Sequence, residues 1–217
     1  MDWVDWHADY DVPDSKLAHR LRIVQARIRT ALDAMPAGPR TAVSLCAGQG
    51  RDLIGVLAGH PRGGDVRARL VELDQRNVNA ARAAARAAGL DGVEVVRGDA
   101  GLTDCYAGAV PADLVVACGV FGNLTDEDVL ATVDACRALC ARGGTVVWTR
   151  HRGAPDRVPA TCARFEEGGF ERLFLTPPEV GFSVGAHRHA GDPVPLRPGR
   201  RMFTFVGAAT LRAMVDP

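Results

Sequence analysis

Lysine is almost missing from this chain: Lys16 stands alone among 217 residues, and every other basic side chain is arginine. That leaves a single candidate for lysine chemistry such as imine formation. With the frequent alanine, the imbalance reads as genomic composition bias, not as a phosphate-binding device. Surplus charge is missing too. Lys plus Arg is 26 and Asp plus Glu is 26, a formal net charge of zero. Nucleic-acid and acidic-membrane footprints usually rest on a basic surplus, so both partners are disfavoured. No apolar run approaches the roughly 18 residues of a membrane span. Asp2 and Asp5 stand where a signal peptide carries a basic and then an apolar segment, so a cytoplasmic location is expected. CxxC pairs are absent among Cys46, Cys105, Cys118, Cys136, Cys140 and Cys162, and no second pair has zinc spacing. Reduced, mostly buried thiols and no metal are therefore expected. What remains is 47% hydrophobic and 24% charged, an ordinary composition for one mid-sized domain.

The chain opens with Trp3, Trp6, His7 and Tyr10, an aromatic cluster followed by Pro13. Residues 14–33 place Leu17, Leu21, Val24, Ile28 and Leu32 on one helical face, with Arg20, Arg22, Arg27 and Arg29 opposite. From there strands and helices alternate. Strands are expected at 41–46, 68–73, 93–96, 112–117 and 145–149. Helices are expected at 51–57, 75–88 and from Thr125, an N-cap with three acids behind it. Gly143-Gly144 is read as the turn into the last of these strands. Near-continuous apolar strands between helices imply a parallel sheet covered on both faces. After residue 150 a short helix at 159–167 and strands at 170–175, 182–187 and 201–206 suggest an antiparallel edge. The expected fold is α/β, a Rossmann-like three-layer sandwich with a mostly parallel seven-stranded sheet. Residues 1–38 form an aromatic segment and helix that could act as a lid, and 39–217 form the main domain.

The most informative stretch is Val43 to Asp52, a strand entering Ala47-Gly48-Gln49-Gly50 and then a helix. Glycine at 48 and 50 lets backbone approach a ligand. Open sheets bind ligands beyond the carboxyl ends of such strands. Glu72, at the next strand end with Leu73 and Asp74, can accept hydrogen bonds from both hydroxyls of a ribose. Asp99, in Gly98-Asp99-Ala100 at the third strand end, can accept from an exocyclic amine. Three consecutive strand ends thus address three parts of one nucleoside ligand. The dinucleotide fingerprint GxGxxG is incomplete, since Leu53 occupies its third glycine, and no P-loop occurs.

With these residues in place, the chain resembles the class I S-adenosylmethionine-dependent methyltransferases, strongly over about 40–150. It is also similar to a group of bacterial members without an assigned substrate. Val43-Ser44-Leu45-Cys46-Ala47-Gly48-Gln49-Gly50 occupies the family's aliphatic-Asp-aliphatic-Gly-x-Gly-x-Gly motif. Ser44 stands at the usual acid and Cys46 at the usual first glycine. The resemblance implies that Ala47, Gly48, Gln49 and Gly50 wrap the methionine part of S-adenosyl-L-methionine. It gives the ribose to Glu72, with Leu73 and Asp74 beside it, and the adenine to Gly98, Asp99 and Ala100. Cys118 and Gly119 then lie close to the methyl group.

The implied activity is methyl transfer to a small-molecule acceptor. Positioning supplies much of the rate of such a displacement, so few catalytic residues are needed. His151, after the fifth strand, is the first candidate for a base, and Arg150 and Arg152 could hold an acidic acceptor. The loop Cys118-Gly119-Val120-Phe121 lacks the polar-Pro-Pro-aromatic motif of enzymes that methylate flipped bases. Trp3, Trp6, His7 and Tyr10 could cover the site, pin the terminus or make a homodimer contact. His187 and His189 point the same way on a strand, but no third metal ligand can be placed beside them. Two alternatives stay open: a binding or partner protein without turnover, and a nucleotide-dependent oxidoreductase.

Overall fold

The structure is a computed structural model, and it describes Tyr10, Val12, residues 15–207, Thr210 and Leu211. Trp3, Trp6 and His7 lie outside the described residues. Helix α1, Lys16–Ala34, begins at Ser15, whose hydroxyl accepts the Ala18 N–H at 3.0 Å. Its Val24, Ile28 and Leu32 are buried, as their spacing requires. There follow β1 (Arg40–Leu45), α2 (Leu53–Leu57), β2 (Val66–Glu72), α3 (Gln75–Ala87), β3 (Val93–Arg97) and β4 (Ala112–Ala117). The chain continues through α4 (Asp126–Leu139), β5 (Cys140–His151), α5 (Val158–Glu167), β6 (Phe170–Leu175) and β7 (Phe182–His189). Thr125 caps α4 by accepting the Asp128 N–H at 3.1 Å.

The seven strands lie in the order β3-β2-β1-β4-β5-β7-β6. The first five pair in parallel, and β7 runs antiparallel to both β5 and β6. Alternate strand residues feed two apolar cores. Leu114, Val116 and Val147 join α1, α2 and α3 on one face. Val115, Ala117, Val146 and Trp148 join α4 and α5 on the other. This is the three-layer sandwich that the alternating pattern implies. The strand order reverses direction between β1 and β4, which opens a crevice at the carboxyl edge there.

Two expectations are corrected. Gly143-Gly144 is not a turn before β5 but lies within it, at a register shift between Ala112 and Leu114. Gly143 is left-handed at φ 80°, and a Cβ at Gly144 would come to 3.0 Å from three carbonyl oxygens. The strand therefore bulges without leaving the sheet. Residues 201–206 form no strand beyond one bridge, Leu102 with Arg201. With β6 already at the outer edge, this segment crosses the ends of the strands. Its N–H groups go to the Gly101 carbonyl, the Asp128 carboxylate and the Asn123 carbonyl.

His187 and His189 are wholly buried and point to one side of β7. His187 lies in an aromatic column, its ring 4.6 Å from that of Phe165 and 6.0 Å from that of Trp148. The Trp148 indole N–H donates to His187 Nδ1 at 3.1 Å. His189 stacks on Phe170 and contacts the Cys140 carbonyl at 3.0 Å through Nδ1. No group of three metal-ligating side chains occurs among the described residues. Burial, aided by the charge of Arg172, pushes the His187 pKa down to about 4. The unfolded chain therefore takes up this proton first. Stability from a neutral His187 is complete above about pH 6.5 and is lost as pH falls towards 4, by roughly 3 kcal/mol. Chemical denaturation across pH 4.5–7 should show this slope. His187→Asn, which keeps an acceptor for the indole, should remove that part of it.

Candidate functional site

Beyond β1 the chain makes a tight turn in which Cys46, Gly48 and Gly50 all have positive φ, at 48°, 56° and 72°. The Ala47 N–H donates to the Val71 carbonyl at 2.9 Å, binding the turn to β2. A Cβ at Gly50 would strike the Ile54 side chain and come to 3.0 Å from Leu70, so glycine here lets α2 sit close to the sheet. Helix α2 begins at Leu53, later than expected, with Asp52 accepting the Leu53 N–H at 2.7 Å. With five residues it has little dipole, and the Ala47, Gly48 and Gly50 N–H groups are spent inside the protein on the Val71 carbonyl, Glu72 and the Ala47 carbonyl, so the turn offers a ligand close backbone approach more than free donors.

Glu72 ends β2 and is 9% exposed. Its Oε2 accepts the Gly48 N–H and its Oε1 the Asp74 N–H, both at 2.8 Å. Asp74 itself caps α3 and pairs with Arg76, which holds its carboxyl below the usual range. The Gly98 N–H donates to the Glu72 carbonyl at 3.0 Å. Asp99 accepts the Gly101 N–H through Oδ1 and the Arg201 guanidinium through Oδ2, each at 2.9 Å. Gly119, left-handed at φ 76°, donates its N–H to the Thr149 hydroxyl at 2.8 Å.

These strand ends converge on one cavity of about 490 Å³. Of the cofactor residues inferred from sequence, Ala47, Gly48, Gln49, Glu72, Leu73, Asp74, Asp99, Ala100, Cys118 and Gly119 line it. Gly50 and Gly98 do not. Gly50 packs under α2, and a Cβ at Gly98 would meet the Cys105 sulfur at 2.9 Å. Both shape the wall from behind.

No family profile matches the sequence, and no curated protein matches it. Solved structures do match. An O-methyltransferase family protein from Burkholderia thailandensis is 17% identical at a TM-score of 0.60, over 79% of this chain and 57% of that one. A TehB-like SAM-dependent methyltransferase from Corynebacterium glutamicum is 19% identical at a TM-score of 0.56, over 79% of this chain and 95% of that one. The CurJ carbon methyltransferase is 15% identical at a TM-score of 0.67, over 85% of this chain and 58% of that one. The chain thus spans under two thirds of the Burkholderia and CurJ chains. At these identities the likeness is one of fold. The chain has the class I methyltransferase fold.

Within that fold the cavity gains walls that no local motif announced. Arg20, Leu21 and Val24 of α1 line it, as do Asp52, Asn77 and, from the far end of the chain, Phe203 and Phe205. Tyr10 of the N-terminal aromatic cluster also lines it and bonds to Arg20. Nothing near Phe203 and Phe205 in sequence links them to the site. Burial pushes the Asp52 pKa up to about 6, against the opposing charge of Arg20. Burial also pushes the Cys118 thiol well up, with the Asp52 charge adding to it, so Cys118 stays protonated.

The residues proposed for acid–base work and acceptor binding fall elsewhere. His151 reaches the same sheet edge but is exposed and does not line the cavity; its ring lies against Gly122. Arg150 pairs with Asp126 at 2.6 Å, and Arg152 pairs with Asp156. Asn123 donates to the Gly119 carbonyl at 2.7 Å and holds the exit loop in shape.

Cys46 is the one non-glycine at positive φ among the described residues, at a position where the class I motif usually has glycine. An L-residue there carries a steric cost of about 1–2 kcal/mol. Cys46→Gly should therefore be tolerated or mildly stabilising. Cys46→Val, branched at Cβ, should lose at least about 1 kcal/mol. Paired urea denaturation curves would check both directions.

Proposed function

We propose that this chain transfers the methyl group of S-adenosyl-L-methionine to a small-molecule acceptor. One arrangement carries the reading: the Gly48 turn, the carboxylates of Glu72 and Asp99, and the Cys118–Gly119 exit all line one cavity. In this reading Ala47, Gly48 and Gln49 hold the methionine part. Glu72, with Leu73 and Asp74 beside it, takes the ribose, and Asp99 with Ala100 takes the adenine. Residues 39–217 make the cofactor-binding domain, and residues 1–38 supply its cover.

Three observations fit that cofactor. Each Glu72 oxygen accepts one backbone N–H and keeps a second lone pair for a ribose hydroxyl. Asn77, 2% exposed at the cavity wall, has a side-chain carbonyl without a hydrogen-bond partner. Gly119 has open space where a side chain would stand. The cavity volume lies within the usual range of small-molecule sites, about 300–1,000 Å³.

The cofactor, when bound, supplies an electrophilic methyl group on a sulfonium. The chain's part is to align and enclose. The glycine turn and Glu72 fix one end, and α1 walls off the cavity with Leu21 and Val24. Asp52 and Arg20 are the charged groups on the Cys118 side, and Asp52 can receive a proton that an acceptor releases. His151, outside the cavity, is given no part. Neutral overall charge favours a small acceptor over a macromolecule with an acidic surface.

S-adenosylhomocysteine at about a hundredfold over Kd should raise the melting temperature by roughly 5–10 °C, whereas NAD should not shift it. Glu72→Ala should weaken calorimetric binding at least tenfold, since it frees the turn as well as removing the ribose acceptor. Failure of the unaltered protein to take up either S-adenosylmethionine or S-adenosylhomocysteine would overturn the reading.

A further inference from the structure

The segment following β7 returns to the carboxyl edge of the sheet and lies across it. The Gly199 N–H donates to the Asp104 carboxylate at 2.8 Å, and the Met202 N–H to the Gly101 carbonyl at 2.7 Å. The Thr204 N–H donates to the Asp128 carboxylate and the Val206 N–H to the Asn123 carbonyl, both at 3.0 Å. The strap thus runs from the exit of β3 to the exit of β4, along one rim of the cavity. Its Arg201 reaches Asp99 at 2.9 Å and the Phe203 carbonyl at 3.3 Å, both through Nη1. Gly101 fits this packing: a Cβ there would run into the Phe203 carbonyl oxygen and come to 3.1 Å from Asp99 Oδ1 and 3.3 Å from the Arg201 guanidinium. The strap is therefore built against the β3 exit loop, not merely laid on it.

The Arg201–Asp99 pair is half-exposed, 48% and 39% by side chain. An ion pair so placed contributes little to stability. Its effect is geometric. The Gly101 N–H holds one carboxylate oxygen and Arg201 the other, which fixes the plane of the carboxylate at the cavity wall. Each oxygen keeps a free lone pair. A planar base entering beside Asp99 would also displace water and strengthen the pair.

We infer that Arg201 is a positioning residue: through the strap it aims the Asp99 carboxylate so that the site selects a purine carrying an exocyclic amine over one carrying a carbonyl. The inference rests on the cofactor reading proposed above. A fixed carboxylate accepts from an amine and repels a carbonyl oxygen, so orientation is what creates the discrimination. A carboxylate free to rotate away would lose the selectivity while the rest of the cavity still bound the thioether.

The test is calorimetric titration of the full chain with S-adenosylhomocysteine and with its inosine counterpart, in which a carbonyl replaces the amine. The unaltered protein should prefer the amine by about tenfold or more. Arg201→Ala should reduce that ratio to about threefold or less, and Arg201→Lys should retain most of it. Asp99→Ala should abolish the preference. A ratio unchanged in Arg201→Ala, with both thioethers weakened equally, would overturn the positioning role and leave the cofactor reading standing. Binding of neither thioether by the unaltered protein would overturn both.

Discussion

The carboxylate of Glu72 holds two loops with its two oxygens. One oxygen takes the Gly48 N–H from the turn after β1, and the other takes the Asp74 N–H at the start of α3. Both bonds are charge-assisted, and Glu72 is nearly buried, so they act in a low dielectric and are costly to break. The site depends on this link. The turn has three left-handed residues in five, and besides this carboxylate only the Ala47 N–H to the Val71 carbonyl ties it to β2 by a hydrogen bond among the described residues. The resembling family usually places an acid at the position of Ser44, and here Ser44 is buried in β1. Glu72 supplies the carboxylate that grips the turn from the neighbouring strand.

The cavity exists because the strand order changes direction between β1 and β4. Helices from the two faces diverge there, and the strand ends are left open. The chain then closes that opening from both of its ends. Helix α1 contributes Arg20, Leu21 and Val24, and the strap contributes Phe203 and Phe205. The alternating core thus supplies the floor of the site, and segments outside it supply its walls. Selectivity among ligands is a property of those walls.

The zero net charge is distributed in the same economical way. Arg150 and Arg157 both pair with Asp126, Arg164 with Asp134, and Arg40 with Asp113, which in turn accepts the Thr41 N–H. These pairs join neighbouring elements: β5 and the start of α5 to α4, α5 to α4, and β1 to β4. The opposite face of the sheet is closed by the Trp148, His187 and Phe165 column, where a histidine serves as a neutral aromatic.

Local sequence determined the repeating elements: apolar runs of strand length, the Ser15 and Thr125 caps, the glycine turn, and acids at the ends of β2 and β3. These are legible because period, cap and turn chemistry act over a few residues. It also pointed to most of the cavity's floor, since each floor residue lies within a few positions of a strand end. Tertiary structure decided what sequence distance conceals. Gly143-Gly144 read as a turn, yet bulges within β5, where Gly143 takes a left-handed φ and a Cβ at Gly144 would crowd carbonyls of β4. His151 read as a site residue, yet the exit of β5 carries it outside the cavity. Residues 201–206 read as a strand, yet with the sheet edge already taken by β6 they cross the strand ends instead. Arg201 meets Asp99 from about a hundred residues away, and Arg20 meets Asp52 across the cavity. Contacts of that kind arise only when the sheet order and the packing of both faces bring distant segments to one edge, and no local pattern encodes them.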